Sequence, residues 1–418
     1  MKLKDRDWHL VLFFLNVAFV ILGYAINTYT RQAFLGPMKA LRMGLVGLGL
    51  LLLLIYFINK PSKWKYYGYE YLGLGLAIFT GIFFSYQLSY SLNKVITFLF
   101  PFLYISLLFA YLKSQYTIPQ IGLHLSKIFQ LTYFIPVLVL VFLERGALGS
   151  TDISKSVGVF VKNHYGWATC MFLLLSADLL TNYQIGKWHR RLTYLAIPIA
   201  AIILLGSGSR SAWVSTLLAT VVMLVRYDNI SAGAKIFIIA AGVLAVSYFL
   251  ADSNSAFYAR WDKTQQQLDA KEEASGRYQW AFYAYQEFRE KPTQWLTGRG
   301  LFDYKGLIHA GGYHNSYFEI LFGCGVFVFS YFIFLFVLRP AYFFFRYYSQ
   351  HFITFFPLLI IPFFESNLTG GQFLFYPWFS YMMFYGINPV KKEKEDKLRM
   401  GKIQSKKIIA KEIIAVVP

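Results

Sequence analysis

The sequence predicts an all-α integral membrane protein, a polytopic bundle of about twelve transmembrane helices with one large loop outside the membrane. Of the 418 residues, 57% are hydrophobic and only 15% are charged, and the mean hydropathy is +0.46. Apolar runs long enough to cross a hydrocarbon layer of ~30 Å recur along the chain. Each such run must be helical, because lipid offers the backbone no hydrogen-bond partner.

The predicted spans alternate with short connectors and give an even count. They cover residues 8–27, 38–58, 69–87, 95–112, 122–143, 164–184, 192–208, 210–226, 234–251, 316–338, 351–366 and 370–387. The chain divides into a bundle of about nine helices at 1–251, a loop domain with short helices at 252–313, C-terminal transmembrane helices at 314–390 and a basic tail at 391–418.

Loop charge sets the orientation, since basic connectors stay in the cytoplasm. With both termini inside, the cytoplasmic connectors carry most of the charge excess: Lys60, Lys63, Lys65, Lys113, Lys187, Arg190, Arg191, Arg226, Lys235, Arg339 and Arg346. The outer loop 252–313 holds eight basic and eight acidic residues. Topology therefore explains the net charge of +19 without a nucleic-acid partner. The tail is expected to be disordered or to lie on the membrane surface, attracted by anionic lipid.

Two features of the outer loop matter for its chemistry. Ser275 is placed to cap a helix over residues 276–291, which Pro292 closes. His309 and His314 are five residues apart, but no third ligand accompanies them, so a metal site is not expected. Cys170 and Cys324 both lie in predicted spans without metal-ligand spacing.

Four residues on the outer side are candidates for binding and catalysis. Arg210 opens the eighth span, while Arg277, Arg299 and His314 lie in or beside the large loop. The paired N–H donors of a guanidinium group fit the oxygens of a phosphate, and a neutral imidazole can take a proton at physiological pH. Diphosphate binding with proton abstraction is the joint interpretation. Taken singly, Arg210 can also serve as a helix-end anchor, and Arg299 as a partner of Asp303.

Three stretches resemble the O-antigen ligase and O-antigen polymerase superfamily of bacterial membrane glycosyltransferases. They are SRSAW at the start of the eighth span, SGRYQW and TGRGLF in the loop, and GGYHNSYFEILFGCGVFVF entering the tenth span. The resemblance implies a GT-C-like bundle in the bacterial inner membrane with its active site on the periplasmic face. It also implies an inverting, metal-independent and cofactor-free transfer of a glycan from undecaprenyl diphosphate to an acceptor hydroxyl.

The resemblance also assigns roles to individual residues. By position, Arg210 and Arg277 match the arginines that hold the diphosphate, and His314 matches the histidine that activates the acceptor. Arg299 and Arg260 match less closely. The remaining predicted substrate contacts are Tyr313 and Asn315 beside the histidine, and Glu365, which can orient the site or pair with an arginine.

The acceptor stays open on the sequence alone. Ligation of O-antigen to lipid A-core in lipopolysaccharide biosynthesis is favoured, because the chain is compact and has no additional soluble domain. A polymerase of O-antigen or exopolysaccharide and a protein O-oligosaccharyltransferase are alternatives within the superfamily. A flippase or other transporter of lipid-linked sugars is the non-enzyme alternative, but transporters concentrate ionisable groups at mid-membrane, where these spans are nearly free of charge.

Overall fold

A computed structural model describes residues 7–25, 35–85, 88–142, 159–226, 231–269, 285–300, 316–355 and 372–398. These ranges are helical or connect helices, and they contain no β-strand. The main helices are α1 Trp8–Ala25, α2 Leu35–Asn59, α3 Tyr69–Thr80, α4 Leu88–Gln115, α5 Ile118–Phe142, α6 Val159–Asn182, α7 Lys187–Gly206, α8 Arg210–Arg226, α9 Ala232–Ala251, α10 Ala256–Asp269, α11 Ser316–Ile333 and α12 Gln372–Tyr385. Short helices at 285–290 and Gln294–Thr297 lie in the predicted outer loop.

Four described helical segments are long and apolar enough to cross a membrane: Ala40–Asn59, Phe98–Gln115, Lys187–Gly206 and Tyr317–Phe355. Shorter apolar helices occur at Trp8–Leu22, Tyr69–Phe79, Ala212–Val225 and Ile238–Ala251. These segments confirm a helical membrane protein, whereas the count of twelve spans stays a prediction.

The predicted connector between the tenth and eleventh spans is itself helical. From Ile333 the helical backbone continues through π-helical segments Phe334–Leu338 and Phe344–Tyr348 and through Arg339–Phe343. Arg339 looks like a residue that ends a span, but its guanidinium donates to Glu70 Oε1 at 2.7 Å and to the Gly386 carbonyl at 3.0 Å. The helical backbone therefore continues past an arginine whose guanidinium is paired.

Aromatic side chains fill much of the bundle core. The ring of Phe336 packs on Phe102, Trp378 and Phe379, with centroid separations of 6.2, 5.5 and 4.6 Å. Phe102, Phe336 and Phe379 are fully buried. This cluster joins α4, the continuation of α11 and α12, so burial of apolar area holds the C-terminal helices to the N-terminal half.

The helix ends meet in two groups. One end of the bundle, which we call the loop end, holds the α7–α8 turn at 207–209 and the short helices of 285–300. At the other end, which we call the opposite end, Asp7 accepts a hydrogen bond from Tyr111 at 2.9 Å, and Asp178 lies 2.8 Å from His351. All predicted site residues with a described backbone lie in the elements of this loop end.

Candidate active site at the loop end

A tight turn places Arg210 as the first residue of α8. Gly208 has a positive φ of 67°, which favours glycine. Ser207 Oγ donates to the Leu204 carbonyl at 2.7 Å, and the indole N–H of Trp213 donates to the same carbonyl at 2.7 Å. The SGSRSAW sequence therefore closes α7 and opens α8 within three residues, so that the backbone of Arg210 has a fixed position.

Helix α6 packs closely against this turn. A Cβ atom added to Gly166 would lie 2.5 Å from Ser209 Cβ and 2.7 Å from Ser207 Oγ. Both serines are almost completely buried. Only a glycine allows the backbone of α6 to approach the turn this closely, and the contact fixes the N-terminus of α8 in the bundle.

The second half of the site is an interlocking contact between a loop segment and a broken helix. Gly325 interrupts α11 with a non-helical conformation, φ 81° and ψ 173°. The amides of Arg299 and Gly300 donate to the carbonyls of Phe322 and Gly323, both at 3.0 Å. We call residues 294–300 the docked segment and residues 322–325 the helix break. The docked segment supplies donors where the helical hydrogen-bond ladder is interrupted.

Glycines make this contact possible. A Cβ atom on Gly325 would collide with the Leu296 carbonyl, and one on Gly298, whose φ is +71°, would collide with the Gly323 carbonyl. A Cβ on Gly300 would lie 2.5 Å from Ser85 Cβ, just after α3. The TGRG and GCG sequences are thus the two faces of one contact.

Arg299 is one of the most buried large side chains, at 2% exposure. Its Nη1 donates to Glu287 Oε2 at 2.5 Å, and the Glu287 side chain is 18% exposed. The pair joins the docked segment to the helix at 285–290. The other predicted partner, Asp303, lies outside the described residues. A further contact of Arg299 with a diphosphate stays a prediction.

Phe288 completes this attachment from the same short helix. It is fully buried, and its ring meets Trp295 and Phe322 with centroid separations of 5.2 and 5.1 Å. Neither Glu287 nor Phe288 is among the site residues predicted from the sequence. Both residues lie within the helix predicted over 276–291. The described part of that helix, residues 285–290, ends before Pro292 as expected.

The other predicted site residues are described only in part. Arg260 lies in α10, which packs against α7 and α9, and its side chain is outside the described part of the chain. The side chain of Arg210 is likewise not described. The remaining predicted residues lie outside the described ranges altogether: Arg277, Tyr313, His314, Asn315 and Glu365.

Within the described ranges, no group of three His, Cys, Asp or Glu residues is placed to hold a metal ion. Cys170 in α6 and Cys324 in the helix break are free and buried.

Comparison with known proteins bears on this same region. Residues 195–333 match the family described as O-Antigen ligase. The match begins inside α7 and ends with α11, so it contains the turn, α8, α10, the docked segment and the helix break. No curated protein matches the chain. The resemblance predicted from the motifs is confirmed for this part of the chain, since residues 195–333 form a domain of the O-antigen ligase family.

Proposed function

We propose that this protein transfers a glycan from an undecaprenyl-diphosphate carrier to an acceptor hydroxyl at the loop end, on the periplasmic face of the inner membrane. The observation that carries the proposal is that one family domain contains both the SRSAW turn and the interlocked TGRG and GCG sequences. The favoured reaction is the ligation of O-antigen to lipid A-core.

The start of α8 supports the proposed binding of the diphosphate. An arginine at a helix N-terminus lies at the positive end of the helix dipole, where a cation is unfavourable until an anion neutralises it. A diphosphate would meet both the Arg210 guanidinium and the free amides of the first turn. As the glycosyl bond breaks, the leaving diphosphate gains negative charge, and arginines already in place would stabilise it.

The helix break supports the proposed position of the base. His314 precedes Ser316, the first residue of α11, by two residues. The docked segment fixes the short part of α11 between Ser316 and Gly325 through the hydrogen bonds to Phe322 and Gly323. We assign Arg299 and Glu287 to positioning this segment. His314 then takes the proton of the acceptor hydroxyl as the new bond forms.

The family match supports ligation and polymerisation equally, and the two differ in the acceptor. A ligase adds a finished glycan to lipid A-core, while a polymerase adds it to a second carrier-linked glycan. Both need the same leaving group and the same base, so the arginines and His314 are expected to be essential for either reaction.

The test is glycan transfer with purified protein. Wild type, His314→Ala and Arg210→Gln receive an undecaprenyl-diphosphate glycan, with lipid A-core in one series and no added acceptor in another, and EDTA in both. Arg190→Gln is the matched control, because Arg190 is exposed near the start of α7, away from the loop end. If wild type glycosylates lipid A-core and both loop-end variants do not, the protein is a ligase. Chain growth without lipid A-core assigns a polymerase. No product from folded wild type with any donor contradicts the proposal.

A further inference from the structure

Helix α2 carries an arginine on its buried face. Val46, Leu53 and Phe57 are fully buried and follow Arg42 at intervals of four, eleven and fifteen residues, which keeps them on one side of the helix. Arg42 itself is only 5% exposed. It lies within the apolar stretch Ala40–Asn59, a candidate membrane span. The position is one where a core aliphatic residue is expected.

Within the described part of the chain, the guanidinium of Arg42 has almost no polar contact. Its Nε has no hydrogen-bond partner, and its Nη2 contacts the Met43 thioether at 3.8 Å. Among the described residues, no carboxylate forms a salt bridge with it. By contrast, Arg299 and Arg339 each have a glutamate partner. A charge buried in a span without a partner is costly, so it marks a site for a counter-charge.

The arginine lies in the half of the bundle nearer the loop end. Tyr56 marks the opposite end, where its hydroxyl is 2.9 Å from Ser114 Oγ and its ring packs on Tyr111. The fourteen helical residues from Arg42 to Tyr56 correspond to about 21 Å along the axis. The buried face of α2 packs against α1 and α4. Arg42 therefore lies between these helices, one to two turns inside the start of α2.

We propose that Arg42 binds the phosphate group of an anionic lipid between α1, α2 and α4. Guanidinium forms forked, charge-assisted hydrogen bonds with phosphate oxygens, and lipid phosphates are the anions that a membrane supplies near this depth. The outward face of α2 gives lipid access, since Leu41, Leu48 and Leu51 are exposed there. Two kinds of lipid can supply this phosphate, a membrane phospholipid and the polyprenyl diphosphate carrier. The second source rests on the proposed function.

The test measures lipid binding without any acceptor or glycan. Purified wild type, Arg42→Met and the exposed control Arg190→Gln are titrated with undecaprenyl diphosphate and separately with phosphatidylglycerol, and bound lipid is counted by native mass spectrometry. Thermal unfolding is recorded with and without each lipid. Arg42→Met is expected to bind one of the two lipids about tenfold more weakly, as for a lost charge-assisted pair. Without lipid it should unfold at the same or a higher temperature than wild type, because an uncompensated buried charge is gone.

The lipid whose binding weakens identifies the source of the phosphate. If Arg42→Met binds both lipids as wild type does, the proposal is overturned. If that variant does not fold, Arg42→Lys decides, since it keeps the charge and loses the fork: weaker binding supports the site and unchanged binding overturns it. Arg42-dependent binding of the diphosphate together with absent glycan transfer would contradict the proposed function and leave this site intact.

Discussion

The loop end and the opposite end of the bundle are held by different kinds of contact. At the opposite end, side chains pair across helices far apart in sequence, as Asp178 with His351 and Glu70 with Arg339. At the loop end, the backbone amides of Arg299 and Gly300 bind the carbonyls of a broken helix, and glycines allow the approach. The first arrangement contributes stability, and the second fixes the direction of a chain segment.

The two ends are therefore sensitive to different kinds of mutation. A side-chain pair fails when one partner is removed and a buried polar group remains unsatisfied. A glycine contact fails when any Cβ atom is added, however conservative the change. We therefore expect mutations at the opposite end to lower stability, and mutations at the loop end to reduce transfer by more than they reduce stability.

The largest loss of stability is expected from Asp178→Ala. Asp178 is 1% exposed and accepts hydrogen bonds from both His351 and Asn182. Its removal should cost about 1–3 kcal/mol for each of the two buried donors left without an acceptor. Thermal unfolding in detergent measures the loss, with the exposed Glu393→Ala as control. Transfer per folded molecule should stay unchanged. An unchanged unfolding temperature would contradict a stabilising role for this pair.

Among the residues that position the site, the largest loss of transfer is expected from Gly325→Ala. The positive φ of 81° costs about 1–3 kcal/mol for a residue with a side chain, and the added Cβ also collides with the Leu296 carbonyl. The displaced start of α11 should reduce transfer by about a hundredfold, a known consequence of a shift of ~1 Å in a reacting group.

Gly242→Ala is the matched control for this prediction. Gly242 lies in α9, and a Cβ there would meet no atom within 4 Å. Alanine in a helix is favoured over glycine by about 1 kcal/mol, so this variant should be as stable as wild type or slightly more stable. If Gly325→Ala and Gly242→Ala behave alike, the helix break does not position the reacting groups.

A smaller effect is expected from Glu287→Gln. The change leaves the buried Arg299 with a neutral partner, which should cost about 1–3 kcal/mol and loosen the docked segment. Glu290→Gln on the same short helix is the control, because Glu290 is exposed. Double substitution of Glu287 and Arg299 by Gln and Met should recover part of the stability, since no charge then stays buried alone. Recovery of transfer as well would contradict a positioning role.

The smallest effect is expected in the basic tail. Glu393 and Lys397 form an exposed pair at 2.9 Å, and the hydrogen bond from Lys397 holds the pKa of the Glu393 carboxyl below its usual value. A carboxyl whose pKa is lower in the folded protein stabilises the fold at pH values above its unfolded pKa. This contribution is lost as the pH falls through the folded pKa. Because solvent screens the pair, Glu393→Gln should change neither the unfolding temperature nor transfer at neutral pH.

Hydrophobicity predicted the ends of helices α8 and α9 well. The predicted span 210–226 coincides with α8, and the predicted span 234–251 begins two residues inside α9. A helix ending before Pro292 was also predictable, because proline cannot continue the hydrogen-bond pattern. The motif residues themselves were visible in the sequence, and the family match contains them.

Two features could not be predicted because they depend on tertiary partners. Gly325 reads as an ordinary helical glycine, and only the docked segment reveals why its backbone is not helical. Arg339 reads as a residue facing water, yet Glu70 satisfies it and the helix continues. Hydropathy records whether a residue prefers lipid, and it carries no information on which distant backbone or carboxylate will meet it.

The most direct test of the account compares glycan transfer by wild type, His314→Ala and Asp178→Ala, each normalised to folded protein and supplied with an undecaprenyl-diphosphate glycan and lipid A-core. We predict that His314→Ala loses transfer at nearly wild-type stability, while Asp178→Ala loses stability and keeps its transfer rate. Equal transfer by His314→Ala and wild type, or transfer lost in Asp178→Ala alone, would contradict a site at the loop end.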